Sequence, residues 1–260
     1  METTLIDRLG DRLHDAFVAR EPIAPLSAQH EDLTVSDAYR IQQRFVQRRL
    51  DAGETVVGKK IGVTSKAVMD MLGVYQPDFG YLLSGMVYGE GERIPLDTLI
   101  QPKAEGEIAF VLKRDLKGPG VTNAMVLAAT ECVMPCFEIV DSRIRDWKIK
   151  IGDTVADNAS CGVFVLGDKA VSPRRVDLAT CGMVLEKNGE VIGTGAGAAA
   201  LGSPVNAIAW LANTLGAFDI GLKAGEVVLS GALAAMATIQ AGDSFRVSIG
   251  GIGACSVRFA

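Results

Sequence analysis

The stretch Gln101-Pro-Lys-Ala-Glu-Gly-Glu-Ile-Ala-Phe-Val-Leu112 places two glutamates, Glu105 and Glu107, at the start of an apolar run. The run is typical of a β-strand, in which residues i and i+2 lie on the same face, roughly 7 Å apart. The two carboxylates therefore share one face of the predicted strand. Because like charges repel and burial disfavours the ionised form, the pair resists burial unless a cation lies between the two groups.

A third glutamate follows the same pattern in Cys136-Phe-Glu-Ile-Val-Asp141, where Glu138 shares a strand face with Val140 and lies opposite Phe137 and Ile139. Two interpretations of the three glutamates remain open. They hold a hard divalent cation, Mg²⁺ or Mn²⁺, because such ions prefer oxygen ligands. Alternatively, they are edge-strand carboxylates that face water.

The chain around these segments divides into an early helical part and a later part rich in strands. Apolar residues at four-residue spacing predict a helix over 4–19, and a second helix is predicted from an N-cap at Ser36 to Gly53. Further helices are predicted at about 123–132 and, with Ser203 as N-cap, over 204–216. Short apolar segments predict strands at 56–63, 79–82, 86–88, 107–113, 137–140, 162–166, 183–186, 227–230, 245–249 and 256–259. This order favours an α+β fold, with a helical segment over 1–55 packed on a β-rich catalytic domain over 56–260.

Composition excludes several classes of function. The 260 residues carry a net charge of −5, which argues against nucleic-acid binding, and no apolar run is long enough for a membrane span. The two histidines, His14 and His30, are both near the N-terminus and are expected at the surface, so a catalytic triad or a zinc site built on histidine is not expected. The five cysteines and the absence of a signal-peptide pattern predict reduced thiols in a cytoplasmic protein.

Two further motifs, a lysine pair and a glycine-rich segment, each allow more than one interpretation. The pair Lys59-Lys60 lies inside an apolar strand, so the two side chains point to opposite faces. If Lys59 is solvated, Lys60 points inward, where its amine either has a lowered pKa suited to proton transfer or pairs with a substrate carboxylate; a surface lysine is the alternative. The segment Gly195-Ala-Gly-Ala-Ala-Ala200 matches a loose dinucleotide-binding pattern, but the helix starts afresh at Ser203, which argues against nucleotide binding.

Several motifs in order resemble one family. They are Gly58-Lys-Lys-Ile-Gly-Val-Thr-Ser65, Gln76-Pro-Asp-Phe-Gly-Tyr-Leu82, Glu105-Gly-Glu107, Phe137-Glu-Ile-Val-Asp-Ser-Arg143, Ala156-Asp-Asn-Ala-Ser160 and the segment 195–213. From about residue 5 to the C-terminus the chain resembles the 2-hydroxypenta-2,4-dienoate hydratases (2-keto-4-pentenoate hydratases) of aromatic meta-cleavage pathways, within the fumarylacetoacetate hydrolase superfamily.

The resemblance implies a mixed β-roll with peripheral helices, and a site in which Glu105, Glu107 and Glu138 hold Mg²⁺ or Mn²⁺. It implies that Lys60 is an active-site lysine, that Lys60 or Asp78 is the general acid or base, and that Ser160 lies near the substrate. The implied reaction adds water to 2-hydroxypenta-2,4-dienoate and gives 4-hydroxy-2-oxopentanoate. The alternative is the metal-dependent 4-oxalocrotonate (2-oxo-3-hexenedioate) decarboxylase of the same pathways.

The resemblance also implies a homo-oligomer and a complex with the pathway decarboxylase. The chain departs from superfamily patterns in two respects. Hydrolytic members use a histidine to activate water, and this chain has none after His30. Several members carry a hydroxyl residue at the position that is Ala232 here, in Ser230-Gly-Ala232.

Overall fold

The computed structural model describes residues 1–260 and contains seven α-helices and thirteen strands. The helices are α1 (Thr3–Ala19), α2 (Leu26–Gln29), α3 (Val35–Asp51), α4 (Lys66–Leu72), α5 (Asn123–Ala129), α6 (Ile151–Ala156) and α7 (Pro204–Gly216). The strands are β1 (Val56–Gly62), β2 (Asp78–Leu83), β3 (Val87–Tyr88), β4 (Arg93–Ile94), β5 (Pro102–Leu112), β6 (Thr130–Asp141), β7 (Cys161–Leu166), β8 (Gly182–Lys187), β9 (Glu190–Ala196), β10 (Val227–Leu229), β11 (Ala237–Thr238), β12 (Ser244–Ile249) and β13 (Gly253–Phe259).

The strands form two mixed sheets. The larger has the order β2-β1-β10-β5-β6-β7-β3, with β11 also paired to β5, and the smaller has the order β4-β13-β12-β8-β9. Parallel pairs, β1 with β10, β3 with β7 and β4 with β13, occur beside antiparallel ones. The α+β class is therefore confirmed, with a mixed sheet architecture and helices at the periphery.

The sheets pack face to face, and the N-terminal helices cover the larger one. Phe137 of β6 meets Phe245 of β12 edge to face, with the ring centroids 6.3 Å apart. The main core of 60 buried residues also includes Leu13 of α1 and Phe45 of α3, so the helical segment shares its core with the β-rich part. The last N-terminal helix ends at Asp51 and β1 begins at Val56. None of the helices combines the length and the apolar character that crossing a membrane requires.

Most predicted elements occur, and the differences have local causes. The N-cap of α3 is Thr34, not Ser36, because the Thr34 hydroxyl accepts a hydrogen bond from the Asp37 N–H at 3.1 Å. The helix predicted to reach residue 132 ends at Ala129, since Thr130 already pairs with Leu112 of β5. The cap and span of α7 are as predicted.

Candidate metal centre and active site

The three glutamates converge on one point in the middle of the larger sheet. Glu105 and Glu107 lie on β5 and Glu138 on β6, and the register places Glu105 directly opposite Glu138. One carboxylate oxygen from each lies within 4.8 Å of the others. The side chains are between 0% and 5% exposed, and β5 and β6 are inner strands, so the interpretation as edge-strand carboxylates is wrong.

The carboxylate cluster lacks the hydrogen-bond donors that three buried anions need. Glu107 Oε1 and Glu138 Oε2 accept no hydrogen bond, and Glu107 Oε2 accepts only the Gly231 N–H, at 2.7 Å. Burial, followed by repulsion from Glu138, raises the pKa of Glu105 to about 8, and burial also raises the pKa values of Glu107 and Glu138. Buried anions of this kind are stabilised by a metal ion, and an all-oxygen ligand set fits Mg²⁺ or Mn²⁺.

The donor to Glu107 comes from a turn that only glycine fits. Gly231 has φ +101°, and a Cβ at this position would lie 1.9 Å from the Thr64 hydroxyl oxygen. The residue therefore needs both the left-handed backbone and the absence of a side chain. This turn brings the segment after β10 against the face of β5 that carries the glutamates.

Lys60 of β1 completes the charged cluster. Its side chain is 2% exposed, its Nζ donates to Ala159 O at 2.9 Å, and the same atom lies 3.1 Å from Glu138 Oε1. Burial alone would lower the pKa of the Lys60 amine, but Glu138, Asp78 and Glu105 outweigh it and raise the pKa. The inward orientation agrees with the strand alternation, and of the two alternatives for the amine the structure does not favour a lowered pKa, because three carboxylates surround it.

Lys59 points to the opposite face, as alternation predicts, but it is not solvated. Its ammonium contacts both carboxylate oxygens of Glu226, at 2.7 and 2.8 Å, and its side chain is 3% exposed. The ammonium also lies 5.7 Å from the ring centroid of Tyr81. The condition considered for the pair, a solvated Lys59, is therefore not met, because a partner from a distant part of the chain neutralises Lys59.

Asp78 and Ser160 lie beside Lys60, where all three line the same small pocket. Thr154 joins them, since its hydroxyl donates to Asp78 Oδ2 at 3.1 Å and lies 3.5 Å from the Ser160 hydroxyl. Burial raises the pKa of Asp78, against the lowering effect of Lys60. Thr154 was not predicted from the sequence, where nothing distinguishes it from other threonines.

The segment 158–160 has an unusual backbone that places two groups in the site. Asn158, Ala159 and Ser160 have φ values of 54°, 52° and 51°, in the left-handed region that residues other than glycine rarely adopt. The Asn158 side chain fixes the segment by hydrogen bonds to the backbone N–H and C=O of Tyr81, at 2.8 and 2.9 Å. The turn presents the Ala159 carbonyl to Lys60 and the Ser160 hydroxyl to the cavity.

All six residues predicted for the site, Lys60, Asp78, Glu105, Glu107, Glu138 and Ser160, thus come together. The histidines do not join them. The expectation that His14 lies at the surface is wrong. Its side chain is only 13% exposed and packs near Phe17 and Phe45, and burial lowers the pKa of its imidazole. The glycines of the segment 195–200 serve close packing, since a Cβ on Gly195 would lie 2.0 Å from Leu233 O and one on Gly197 1.7 Å from Leu178 O.

Comparison with known proteins identifies the family. The family described as fumarylacetoacetate (FAA) hydrolase C-terminal matches residues 60–260, which include every residue of the site. The chain belongs to the fumarylacetoacetate hydrolase family. Within the family it is 70% identical over 221 residues to a 2-hydroxypent-2,4-dienoate hydratase of Pseudomonas putida, a match that covers 85% of this chain and 100% of the relative.

Two other family members are similar over nearly their whole length. A 2-hydroxyhexa-2,4-dienoate hydratase of Comamonas testosteroni is 57% identical, over 98% of this chain and 97% of the relative. The structure of the 4-oxalocrotonate decarboxylase of Pseudomonas putida G7, complexed with magnesium and adipate, superimposes with a TM-score of 0.95 at 36% identity and covers 100% of this chain and 99% of that one. The chain is thus similar over nearly its whole length both to a hydratase and to a decarboxylase.

Proposed function

We propose that the chain is a divalent-metal-dependent hydro-lyase that adds water to 2-hydroxypenta-2,4-dienoate (2-oxopent-4-enoate) and gives 4-hydroxy-2-oxopentanoate, in the meta-cleavage breakdown of aromatic compounds. The observation that carries the proposal is the buried cluster of Glu105, Glu107 and Glu138 beside Lys60, in a chain similar to two dienoate hydratases at 70% and 57% identity.

The ligand set supports the metal part of the proposal. Glu105, Glu107 and Glu138 would hold Mg²⁺ or Mn²⁺, and the unpartnered oxygens of Glu107 and Glu138 leave lone pairs for it. Such an ion, when bound, supplies Lewis-acid polarisation of the substrate's 2-oxygen and charge that attracts its carboxylate. The chain's own contribution is to place these ligands on two rigid inner strands, so that their separation is fixed by the β-sheet register.

We assign the proton transfers to Asp78 and Lys60, which lie beside the carboxylate cluster. The reaction first moves a proton from the 2-hydroxyl to C5, which gives the 2-oxo-3-enoate, and water then adds its oxygen to C4 and a proton to C3. Asp78 is the proposed acid, because burial raises the pKa of its carboxyl and keeps a proton available nearer to neutral pH. Lys60 is the proposed partner, either as a fixed cation for the substrate carboxylate or as the second proton-transfer group. Thr154 and Ser160 orient Asp78 and the substrate through their hydroxyls.

The second candidate is a 4-oxalocrotonate decarboxylase activity, favoured by the superposition with that enzyme over the whole chain. Both reactions use the same polarised 2-oxo acid, so the carboxylate cluster fits either. They differ in the products, because only the decarboxylase releases CO₂ and only the hydratase forms a 4-hydroxyl group.

One assay tests both candidates. Purified protein is incubated with 2-hydroxypenta-2,4-dienoate or with 4-oxalocrotonate, in EDTA or in Mg²⁺ or Mn²⁺, and dienoate absorbance, CO₂ and product identity are followed. We expect dienoate loss with formation of 4-hydroxy-2-oxopentanoate, only in the presence of metal. Glu107→Gln should abolish turnover with the fold intact, while Glu131→Gln, a change at an exposed position of β6, should not. Release of CO₂ as the main reaction would assign the chain to the decarboxylases.

We also propose a homo-oligomer in the cytoplasm, with the pathway decarboxylase as a further partner. Exposed apolar side chains on β8 and β9, Val184, Val191 and Ile192, support a contact with another subunit. Five free cysteines, four of them buried, are compatible with a reducing compartment. Light scattering of the purified protein, alone and mixed with the decarboxylase, measures both associations.

A further inference from the structure

Arg143 is among the largest fully buried side chains of the protein, at 1% exposure, and the proposed reaction gives it no role. It lies two residues after the end of β6 and does not line the active-site pocket. Its guanidinium donates to the Asp157 carboxylate and to the backbone carbonyl oxygens of Asp141, Asp157 and Cys161. These contacts use four of its five N–H groups. The side chain therefore acts on the protein itself.

Two of the residues that Arg143 binds lie on either side of the left-handed segment 158–160. Asp157 precedes the segment and is bound through both its carboxylate and its carbonyl oxygen. Cys161 follows the segment, and its carbonyl oxygen accepts from Arg143 Nη1 at 2.8 Å. The backbone N–H of Arg143 donates a further hydrogen bond to Asp157 Oδ2 at 2.9 Å. One residue thus holds both ends of a strained segment, and a strained backbone persists only where its surroundings fix it.

The segment held in this way carries two groups of the site. Lys60 Nζ donates to Ala159 O at 2.9 Å and lies 3.1 Å from Glu138 Oε1, so these two oxygens orient the ammonium. The Ser160 hydroxyl lines the pocket and lies 3.5 Å from the hydroxyl of Thr154. Because the backbone dihedral angles of the segment set both positions, a change to negative φ would move the carbonyl and the hydroxyl together.

We propose that Arg143 is a positioning residue of the active site, which holds segment 158–160 in its left-handed conformation and so places the carbonyl and hydroxyl groups of the segment. The guanidinium suits this task because its planar fork reaches several acceptors at fixed angles, which a lysine ammonium does not. The Asp157 carboxylate is 0% exposed, so water cannot replace the ion pair. The inference rests on the proposed function, because that function gives the groups on the segment their roles.

The kinetic test is Arg143→Lys, which keeps the positive charge and loses the fork. We expect kcat/KM for 2-hydroxypenta-2,4-dienoate with Mg²⁺ to fall by about 10²-fold per folded molecule, the effect of misplacing a group by about 1 Å. Asp157→Asn weakens the same ion pair from the other side, and it should lower kcat/KM in the same direction. This second variant provides the test if Arg143→Lys does not fold.

Arg49→Lys is the matched control. Arg49 is also buried and forks onto a carboxylate, that of Glu54, with distances of 2.7 and 2.8 Å. It does not line the active-site pocket, and its side chain donates no hydrogen bond to segment 158–160. This variant should lower the stability of the protein and leave kcat/KM per folded molecule unchanged.

A double-mutant cycle separates positioning from a loss of stability. Ser160→Ala is measured alone and in the Arg143→Lys background, by kcat/KM and by calorimetric binding of 2-oxopentanoate to the Mg²⁺-loaded protein. This analogue keeps the 2-oxo acid group and lacks the double bonds that react. If Arg143 acts through the segment, Ser160→Ala should cost about fivefold less in the Arg143→Lys background than alone. A purely structural role gives the same factor in both backgrounds.

A crystal structure of Mg²⁺-loaded Arg143→Lys provides a measurement independent of activity. We expect segment 158–160 to leave the left-handed region and the hydrogen bond between Ala159 O and Lys60 to be lost. If the wild type does not hydrate the dienoate but the segment moves and analogue binding weakens, the proposed function is wrong and the positioning role holds. If the segment keeps its conformation, if kcat/KM is unchanged, or if the Ser160→Ala factors are equal, the inference is overturned.

Discussion

Replacing Glu105 by glutamine is expected to stabilise the metal-free protein while it weakens metal binding. Burial and the neighbouring Glu138 raise the pKa of Glu105 from 4.5 to about 8. Because an acid with a raised pKa in the folded state destabilises the fold when it is ionised, stability falls as the pH rises from 4.5 to about 8. At about 1.4 kcal/mol per pH unit, the ionised carboxylate lowers the free energy of unfolding by about 5 kcal/mol above pH 8.

The net gain is smaller than this figure, because the glutamine amide is itself buried and needs hydrogen bonds. An unsatisfied buried amide costs about 1–3 kcal/mol, so the variant should gain roughly 2–4 kcal/mol at pH 8. For a chain of this size, 1 kcal/mol corresponds to about 2–4 °C in Tm, so we expect a rise of about 4–16 °C. At pH 5 the rise should largely disappear, since the folded wild-type carboxyl is then protonated and this pH lies only about 0.5 unit above the unfolded pKa of 4.5, which leaves an ionisation penalty below about 1 kcal/mol.

The assay is thermal unfolding in EDTA and in excess Mg²⁺ at pH 5 and pH 8. Metal at 100 times its Kd stabilises the folded state by about 2.7 kcal/mol, so Mg²⁺ should raise the wild-type Tm and raise that of Glu105→Gln much less. Glu131→Gln, on the exposed end of β6, is the control and should leave Tm unchanged in every condition, because its ion pair with Lys113 is exposed. A Tm for Glu105→Gln in EDTA at pH 8 that is equal to or below the wild-type value would refute the reasoning.

Four further predictions follow from the same geometry. Lys60→Met should reduce kcat by about 10²–10⁴-fold if the amine transfers a proton, and should raise KM as well if it only binds the substrate carboxylate; steady-state kinetics separates the two roles. Lys59→Met should instead lower the free energy of unfolding by about 3–5 kcal/mol, because Glu226 is left buried without its cation, with kcat per folded molecule unchanged. Gly231→Ala should destabilise the protein and weaken Mg²⁺ binding measured by calorimetry, whereas Gly225→Ala, also at positive φ but with no atom within 4 Å of its Cβ position, should affect stability alone. Thiol titration in denaturant without reductant should count five free thiols, and a count of three would contradict a reduced protein.

The strand faces that the three glutamates occupy could be predicted because strand periodicity is a local property, whereas the expectation that they hold one metal ion came from the resemblance to the family. Alternation along β5 fixes the shared face of Glu105 and Glu107, and the same rule orients Glu138 and Lys60. The helices that were predicted correctly, such as α7, likewise depend on local signals. For α7 these signals are the Ser203 cap and Pro204 in the first turn. The spacing alone does not predict that the three glutamates are buried, because their burial depends on β5 and β6 being inner strands of the sheet.

The remaining parts of the site depend on contacts between distant segments. The burial of Lys59 does not follow from the strand pattern, because its partner, Glu226, is separated from it by 167 positions in the chain. Thr154 was missed for a similar reason, since its role comes from Asp78, 76 positions earlier. The left-handed backbone at 158–160 is held by Asn158 against Tyr81, and no local turn signal such as glycine marks it. Such features require tertiary packing, which overrides local propensity.

The parallel pairing of β1 with β10 affects how the protein matures on the ribosome. Residues 58–60 pair with β2 soon after synthesis, but their partners on the other edge lie at 227–229, so that edge of β1 stays unpaired while about 170 residues are added, roughly 8–34 s at 5–20 residues per second. During this interval the β5–β6 hairpin is complete, and it sets Glu105 opposite Glu138 before Lys60 is locked in place by β10. Like charges facing each other across a hairpin disfavour it. We therefore expect the hairpin to stay loosely formed in the nascent chain, and the acidic centre to close in one late cooperative step when the C-terminal third emerges.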